Sequence, residues 1–157
     1  MHNELLELID FEIQQIDRLL GFHAELLQRA RSRVPLSSTE ITALGSVVHS
    51  FYNGLESILL TIAKQFDQRV PGGRQSHRDL LNQMQQATAT RQPILTANTV
   101  EALSQFLGFR HFFRHSYSFY ISWERLEPLV LSMPMVWQQA KAELNVFRST
   151  LNNSRGS

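Results

Sequence analysis

The sequence of 157 residues contains no cysteine, carries a net charge of only +1 and has no long uncharged apolar run. Without thiols it cannot form disulfides or thiolate metal sites, and nothing indicates an oxidising compartment. No apolar stretch approaches the roughly 18 residues that a membrane-spanning helix needs. No basic segment precedes an apolar core as in a signal peptide. We therefore expect a soluble, cytoplasmic protein without membrane contact.

The small net charge also limits the kind of ligand. Domains that bind long nucleic acids usually present an extensive basic surface, which this composition does not provide. Hydrophobic residues make up 43% of the chain and charged residues 18%, which excludes a disordered chain and allows a real core. An RNA substrate would have to bind in a small, locally basic cleft.

Hydrophobic periodicity predicts helices and no strand. Ser37 with Glu40, and Asn98 with Glu101, have the spacing of capping boxes at helix starts. The predicted helices cover residues 4–31, 38–68, 76–85, 98–126 and 128–151. The sequence therefore predicts an all-α, up-and-down bundle of four long helices plus one short helix, as one domain over residues 1–151 followed by a loose tail at 152–157.

Residues 109–117 concentrate ionisable groups as no other segment does. They include two arginines, two histidines, three phenylalanines and a tyrosine. On the predicted helix, small residues and the two histidines recur at spacings of four and three and so form one continuous strip. The members of this strip are Ser104, Gly108, His111, His115, Ser118 and Ser122. Its lack of Lys and Glu favours a subunit interface or a cleft, and an ordinary exposed strip is the alternative.

Arg110 projects beside the apolar side of the same helix, where a guanidinium needs a partner or a route to water. Glu56 on the second long helix could hold it in a bidentate pair, although spacing alone fits an exposed Glu56 equally well. Arg110 and His115 point about 140° apart on an ideal helix. They can serve one substrate only if Arg110 extends around the helix, the helix deforms, or a second copy completes the site. We predict a homodimer on this basis.

Metal and cofactor sites are poorly supported. His111 and His115 have the i, i+4 spacing of a helical zinc pair, but no third ligand and no zincin glutamate accompany them. Residues 72–74 lack the lysine and hydroxyl of a phosphate-binding loop. We therefore expect neither a metal nor another cofactor.

Three segments together resemble a known family. The pattern Arg110, four residues, His115, one residue, Tyr117 is similar to the signature of HEPN-domain ribonuclease toxins, and the whole run resembles the HepT branch. The resemblance extends to residues 52–56 and 77–81 and covers most of residues 40–130. It implies a toxin of a HEPN/MNT toxin–antitoxin pair, a metal-independent endoribonuclease in which the RNA 2′-hydroxyl is the nucleophile.

The resemblance also implies roles for individual residues. His115 would be the general acid or base, and Arg110 would anchor the phosphate. His111 and Arg114 would orient or bind the RNA backbone, with Glu56 in support. Tyr117 would be adenylylated by a partner minimal nucleotidyltransferase (MNT), the antitoxin.

Two alternatives remain open at this point. From spacing alone, the favoured interpretation is that these residues simply cap and solvate a bundle helix, and only the resemblance reverses that preference. The second alternative is a non-catalytic dimeric helical adaptor that binds a nucleotidyltransferase and, in the same cleft, a nucleotide.

Overall fold

A computed structural model describes residues 2–115 and 121–154, the side chains of Arg114 and His115 excepted. Over these residues the chain is all-α, as predicted, with four long and two short helices. The helices are α1 (His2–Phe22), α2 (Ala24–Arg31), α3 (Ser38–Ile62), α4 (Ser76–Gln85), α5 (Ala97–His115) and α6 (Trp123–Asn153). No helix in this part of the chain combines the length and apolar character of a membrane span.

The single first helix predicted over residues 4–31 is wrong because the chain kinks at His23. This residue has φ −101° and ψ 19°, outside the helical region. Gly21 lies two residues earlier and lowers the local helix propensity by about 1 kcal/mol relative to alanine. Hydrogen bonds still cross the kink, from His23 N to Leu19 O (3.3 Å) and from Leu27 N to His23 O (3.0 Å). The bundle therefore contains two short helices rather than one.

The start of α5 is capped by Thr96 and not by Asn98. The Thr96 hydroxyl accepts from the amide of Thr99 at 3.4 Å. The carboxylate of Glu143, on α6, accepts from the Thr96 amide and from the Thr99 hydroxyl, both at 2.6 Å. A side chain distant in sequence thus decides where α5 begins, which a local capping pattern cannot reveal.

The predicted extension of α5 to residues 123–126 is also wrong. Ile121 and Ser122 are not helical, and the extended backbone of Ser122 (ψ 121°) starts α6 instead. The carbonyl of Ser122 accepts from the amide of Leu126 at 3.1 Å, the first helical bond of α6. Pro128 consequently lies inside α6 and does not open it. At the other end, α6 reaches Asn153, so the predicted tail begins as helix.

Helix α3 begins at the predicted capping box. The Ser37 hydroxyl accepts from the Glu40 amide at 3.1 Å, and the Glu40 carboxylate accepts from the Ser37 amide at 3.0 Å. A hydrogen bond from Arg29 and, next, that backbone bond lower the pKa of Glu40 to about 2. The local pattern was sufficient here because both partners lie within one helical turn.

Helix α3 is the centre of the bundle and packs against α1, α2, α4, α5 and α6. Its apolar residues are buried around most of its circumference. Phe51 contacts Phe106 of α5 and Trp137 of α6 edge to face, at centroid distances of 5.3 and 6.1 Å. A Cβ at Gly54 would lie 3.1 Å from Ile16, so glycine permits the close approach of α1. Only a narrow strip of α3 is left for polar side chains.

A buried ion pair fixes the connection between α4 and α5. After α3 a π-helical turn, Ala63–Asp67, ends at Gln68 in the left-handed conformation (φ 54°). Asp67 accepts from Arg91 Nε at 2.7 Å and from Arg91 Nη2 at 2.6 Å, with both side chains only 3% exposed. Arg91 also donates to the carbonyl of Gln86 at 2.8 Å. One guanidinium thus ties residues 86–92 to the end of α3.

We predict that Asp67→Ala lowers the free energy of unfolding by about 3–5 kcal/mol, because it leaves the guanidinium of Arg91 buried without its counter-charge. Urea unfolding followed by circular dichroism measures this loss. The control is Glu40→Ala, which breaks the exposed pair with Arg29 together with the capping-box bond to the Ser37 amide, and which should still have a clearly smaller effect. Equal losses for the two variants would contradict the assigned importance of the buried pair.

Candidate active site between α3 and α5

The polar strip of α3 forms the floor of a cavity. His49, Asn53 and Glu56 follow one another at spacings of four and three, which places them on one face of the helix. Together with Ser57, Leu60 and Arg110 of α5 they line a cavity of about 410 Å³. This cavity brings two of the predicted site residues, Arg110 and Glu56, to one place.

Arg110 has the polar partner that its position required, but the partner is not Glu56. Its Nε donates to Asn53 Oδ1 at 3.2 Å. Among the residues with described side chains, none accepts from the two terminal nitrogens of this guanidinium at hydrogen-bond distance. Arg110 Nε therefore has a partner at the cavity, while its two terminal nitrogens, the pair that can bind an oxyanion, have no acceptor among these side chains.

Glu56 is paired with His77 of α4. The two carboxylate oxygens each lie 2.9 Å from His77 Nδ1. The Glu56 side chain is 8% exposed and the His77 side chain 41%. Because a carboxylate only accepts, the ring carries its proton on Nδ1. The proposed pairing of Glu56 with Arg110 is corrected accordingly, and the supporting role of Glu56 in the cavity stays a prediction.

Tyr52 lies buried beneath these charges. Burial raises the pKa of its phenol, the negative charge of Glu56 and a hydrogen bond to it add to the rise, and Arg110 and Arg78 partly oppose it. The phenol is consequently neutral at physiological pH. Tyr52 lies between the charged groups of the cavity and the apolar core around α3.

The other predicted residues are less fully described. His111 is exposed on α5, and Gly108, one turn earlier, would have open space around an added Cβ. His115 belongs to the α5 backbone, but its side chain and that of Arg114 lie outside the described part of the structure, as does Tyr117 entirely. Their assigned roles stay predictions. Likewise, the strip from Ser104 to Ser122 stays a predicted interface or cleft.

Three residues of the cavity region received no functional role from sequence reasoning. His49 lines the cavity, contacts Asn53 and packs against Phe113 of α5 at a ring-centroid distance of 4.8 Å. Asn53 and Tyr52 belonged to a recognised segment but had no assigned function. The available signal was polar residues at helical spacing on an otherwise apolar helix. Which polar group faces which partner depends on the neighbouring helices.

The residues with described side chains contain no group of three or more His, Cys, Asp or Glu that could hold a metal ion.

Comparison with known proteins matches residues 43–151 to a family described as HepT-like protein. This chain belongs to the HepT-like family. The match begins in α3 and ends in α6, so it contains every candidate site residue of this HepT-like protein. It confirms the predicted resemblance to the HepT branch. No curated protein and no solved structure matches the chain.

The assignment of partners in the cavity predicts two different coupling energies. In a double-mutant cycle, Glu56→Gln and His77→Ala should couple by about 1–2 kcal/mol, because they share a hydrogen bond at a buried carboxylate. Glu56→Gln and Arg110→Ala should couple clearly less. Both cycles are measured by urea unfolding. A larger coupling of Glu56 to Arg110 than to His77 would contradict the pairing described above.

Proposed function

We propose that this HepT-like protein is a metal-independent endoribonuclease and the toxin of a HEPN/MNT toxin–antitoxin pair. The observation that carries the proposal is the cavity at Arg110. There Arg110 donates through Nε to Asn53. Its two terminal nitrogens have no acceptor among the described residues, which leaves them available for a ligand. His115, the proposed proton-transfer residue, lies five positions later on the same helix. Family membership supports the assignment of both residues to one site.

The reaction needs proton movement and charge stabilisation and no external nucleophile. A base removes the proton of the RNA 2′-hydroxyl, the 2′-oxygen attacks phosphorus, and the bond from phosphorus to the 5′-oxygen breaks. An acid protonates the departing 5′-oxygen. His115 performs one of these transfers, and Arg110 stabilises the charge that develops on the phosphate oxygens. The products are a 2′,3′-cyclic phosphate and a 5′-hydroxyl.

A second copy of the chain completes the site in this proposal. Arg110 and His115 diverge by about 140° around an ideal helix. Pairing two copies about a two-fold axis lets Arg110 of one copy meet the histidine of the other. His111 and Arg114 then orient or bind the RNA backbone. The exposed surface at Gly108 and His111 supports close approach of a second helix there.

A second function is favoured by the charge of the molecule. The net charge is only +1, and a buried carboxylate, Glu56, lines the same cavity as Arg110. Both features weaken attraction for a polyanion. The corresponding alternative is a non-catalytic dimeric adaptor that binds a nucleotidyltransferase partner and, in this cavity, a nucleotide.

We predict that the purified protein cleaves RNA in the presence of a chelator and leaves 2′,3′-cyclic phosphate ends. Loss of the proton-transfer group in His115→Ala should lower the cleavage rate by about 10²–10⁴-fold. Loss of the phosphate anchor in Arg110→Ala should lower it by about 10²–10³-fold. Timed cleavage of a labelled oligonucleotide with end-group analysis measures both effects.

Matched controls remove the same groups elsewhere. His2→Ala and Arg31→Ala, on α1 and α2, should cleave at the wild-type rate. Mixing the His115→Ala and Arg110→Ala proteins should restore activity, because one site of a mixed dimer retains both groups. Cleavage that survives in both folded single variants refutes the nuclease assignment. A wild-type protein that binds the nucleotidyltransferase partner but cleaves no RNA supports the adaptor.

We further predict that the cognate nucleotidyltransferase transfers adenylate from ATP to Tyr117. A bulky anionic nucleotide at this position would occupy the phosphate site and neutralise the charge of Arg110. Peptide mass spectrometry after incubation with the partner and ATP locates the added mass. Tyr117→Phe should abolish it and Tyr120→Phe should retain it. Modification found only at other residues would contradict this mode of neutralisation.

A further inference from the structure

The contact between Arg110 and Asn53 determines which way the asparagine amide is turned. Arginine nitrogens can only donate. The atom of Asn53 that lies 3.2 Å from Arg110 Nε must therefore be the carbonyl oxygen, as the structure has it. Asn53 Nδ2 then faces the opposite side, towards His49.

The orientation of the Asn53 amide determines which ring nitrogen of His49 carries the proton. Asn53 Nδ2 lies 3.1 Å from His49 Nε2. Because the amide nitrogen carries two hydrogens and no lone pair for bonding, Nε2 must be the acceptor and must carry no proton. The His49 ring is then neutral, with its proton on Nδ1. The ring packs against Phe113 in a tilted arrangement, at a centroid distance of 4.8 Å and an interplanar angle of 35°.

From these contacts we propose that Asn53 is a positioning residue for Arg110, and that His49 fixes the orientation of Asn53, so that the guanidinium presents both terminal amino groups to a phosphodiester. The inference rests on the proposed function for its ligand, and on the contacts between the three side chains alone for the hydrogen-bonded relay from His49 through Asn53 to Arg110. The relay runs between facing helices. Its members on α3 are four residues apart, and Arg110 and Phe113 on α5 are three apart, so both pairs lie on facing surfaces.

An amide suits this position better than a carboxylate would. Asp or Glu would hold the guanidinium more strongly, but its negative charge would cancel the charge that attracts the phosphate. Glu56 lies in the same cavity and is engaged by His77 instead. Asn53 thus orients Arg110 without neutralising it. Because Asn53 is an exposed residue, its replacement should leave the fold intact.

The relay is tested first without RNA, by NMR on the wild-type protein. The Arg110 Nε–H signal, assigned through its loss in Arg110→Lys, should be protected from solvent exchange. Long-range ¹H–¹⁵N spectra, with His49→Gln for assignment, should show His49 protonated on Nδ1 and not on Nε2. In Asn53→Ala the protection of Arg110 Nε–H should disappear. In Asn53→Asp it should persist, while the proton of His49 moves to Nε2 because the new carboxylate can only accept.

Cleavage kinetics form the second arm. Asn53→Ala should lower kcat/KM by about 10- to 100-fold, the effect of one hydrogen bond to a charged group, and mainly through kcat because the anchor strengthens as charge develops. Asn53→Asp should also lose activity although Arg110 stays in place, because the phosphate then meets a negative charge. The control Asn82→Ala, an exposed asparagine of α4, should retain wild-type kinetics.

The outcomes separate this inference from the proposed function. A wild-type His49 protonated on Nε2, or unchanged Arg110 protection in Asn53→Ala, overturns the relay whether or not RNA is cleaved. RNA cleavage unaffected by Asn53→Ala overturns the positioning role while leaving the nuclease in place. The predicted NMR signals in a protein that cleaves no RNA support the relay and overturn the nuclease.

Discussion

Helix α3 packs against all five other α-helices of the described residues, so most of its circumference must be apolar and only a narrow strip can carry polar groups. That constraint determines where a site can exist. His49, Asn53 and Glu56 occupy the strip, and α5 lies beside it and contributes Arg110. The apolar contacts of Phe51 with Phe106 and Trp137 hold the helices at the separation that the strip requires. Helix α3 therefore determines both the packing of the core and the geometry of the cavity.

Two polar contacts in the cavity give Glu56 and Arg110 separate partners. The carboxylate of Glu56 is paired with His77, so it remains part of the cavity lining and does not bind the guanidinium. The amide of Asn53 contacts Arg110 and leaves its charge intact. A buried anion and a nearby cation can coexist in a small volume without pairing only when each has its own partner. The cavity meets this condition with residues from α3, α4 and α5.

Features decided within one helical turn could be predicted from the sequence, whereas features decided between helices could not. Ser37 and Glu40 formed the predicted capping box because they are three residues apart. The cap of α5 depends instead on Glu143, and the partner of Asp67 is Arg91, both fixed by packing. No proline lies at the kink at His23, so the sequence contains no strong signal for it. For the site, the sequence identified Arg110 and Glu56 as anomalies, but their actual partners, Asn53 and His77, depend on which helices lie side by side.

The packing of α1 has a consequence for how the folded unit of this chain should be delimited. The family match begins at residue 43, yet Ile9, Ile13 and Ile16 of α1 are buried, and Ile16 lies where a larger residue at position 54 would clash. A fragment cut to the matched range would expose the apolar side of α3 that these isoleucines cover, and such a surface invites aggregation. The range matched to the family is thus shorter than the segment needed to bury the hydrophobic core, because α1 lies outside the match. A fragment of this chain that is to fold should therefore begin upstream of residue 43.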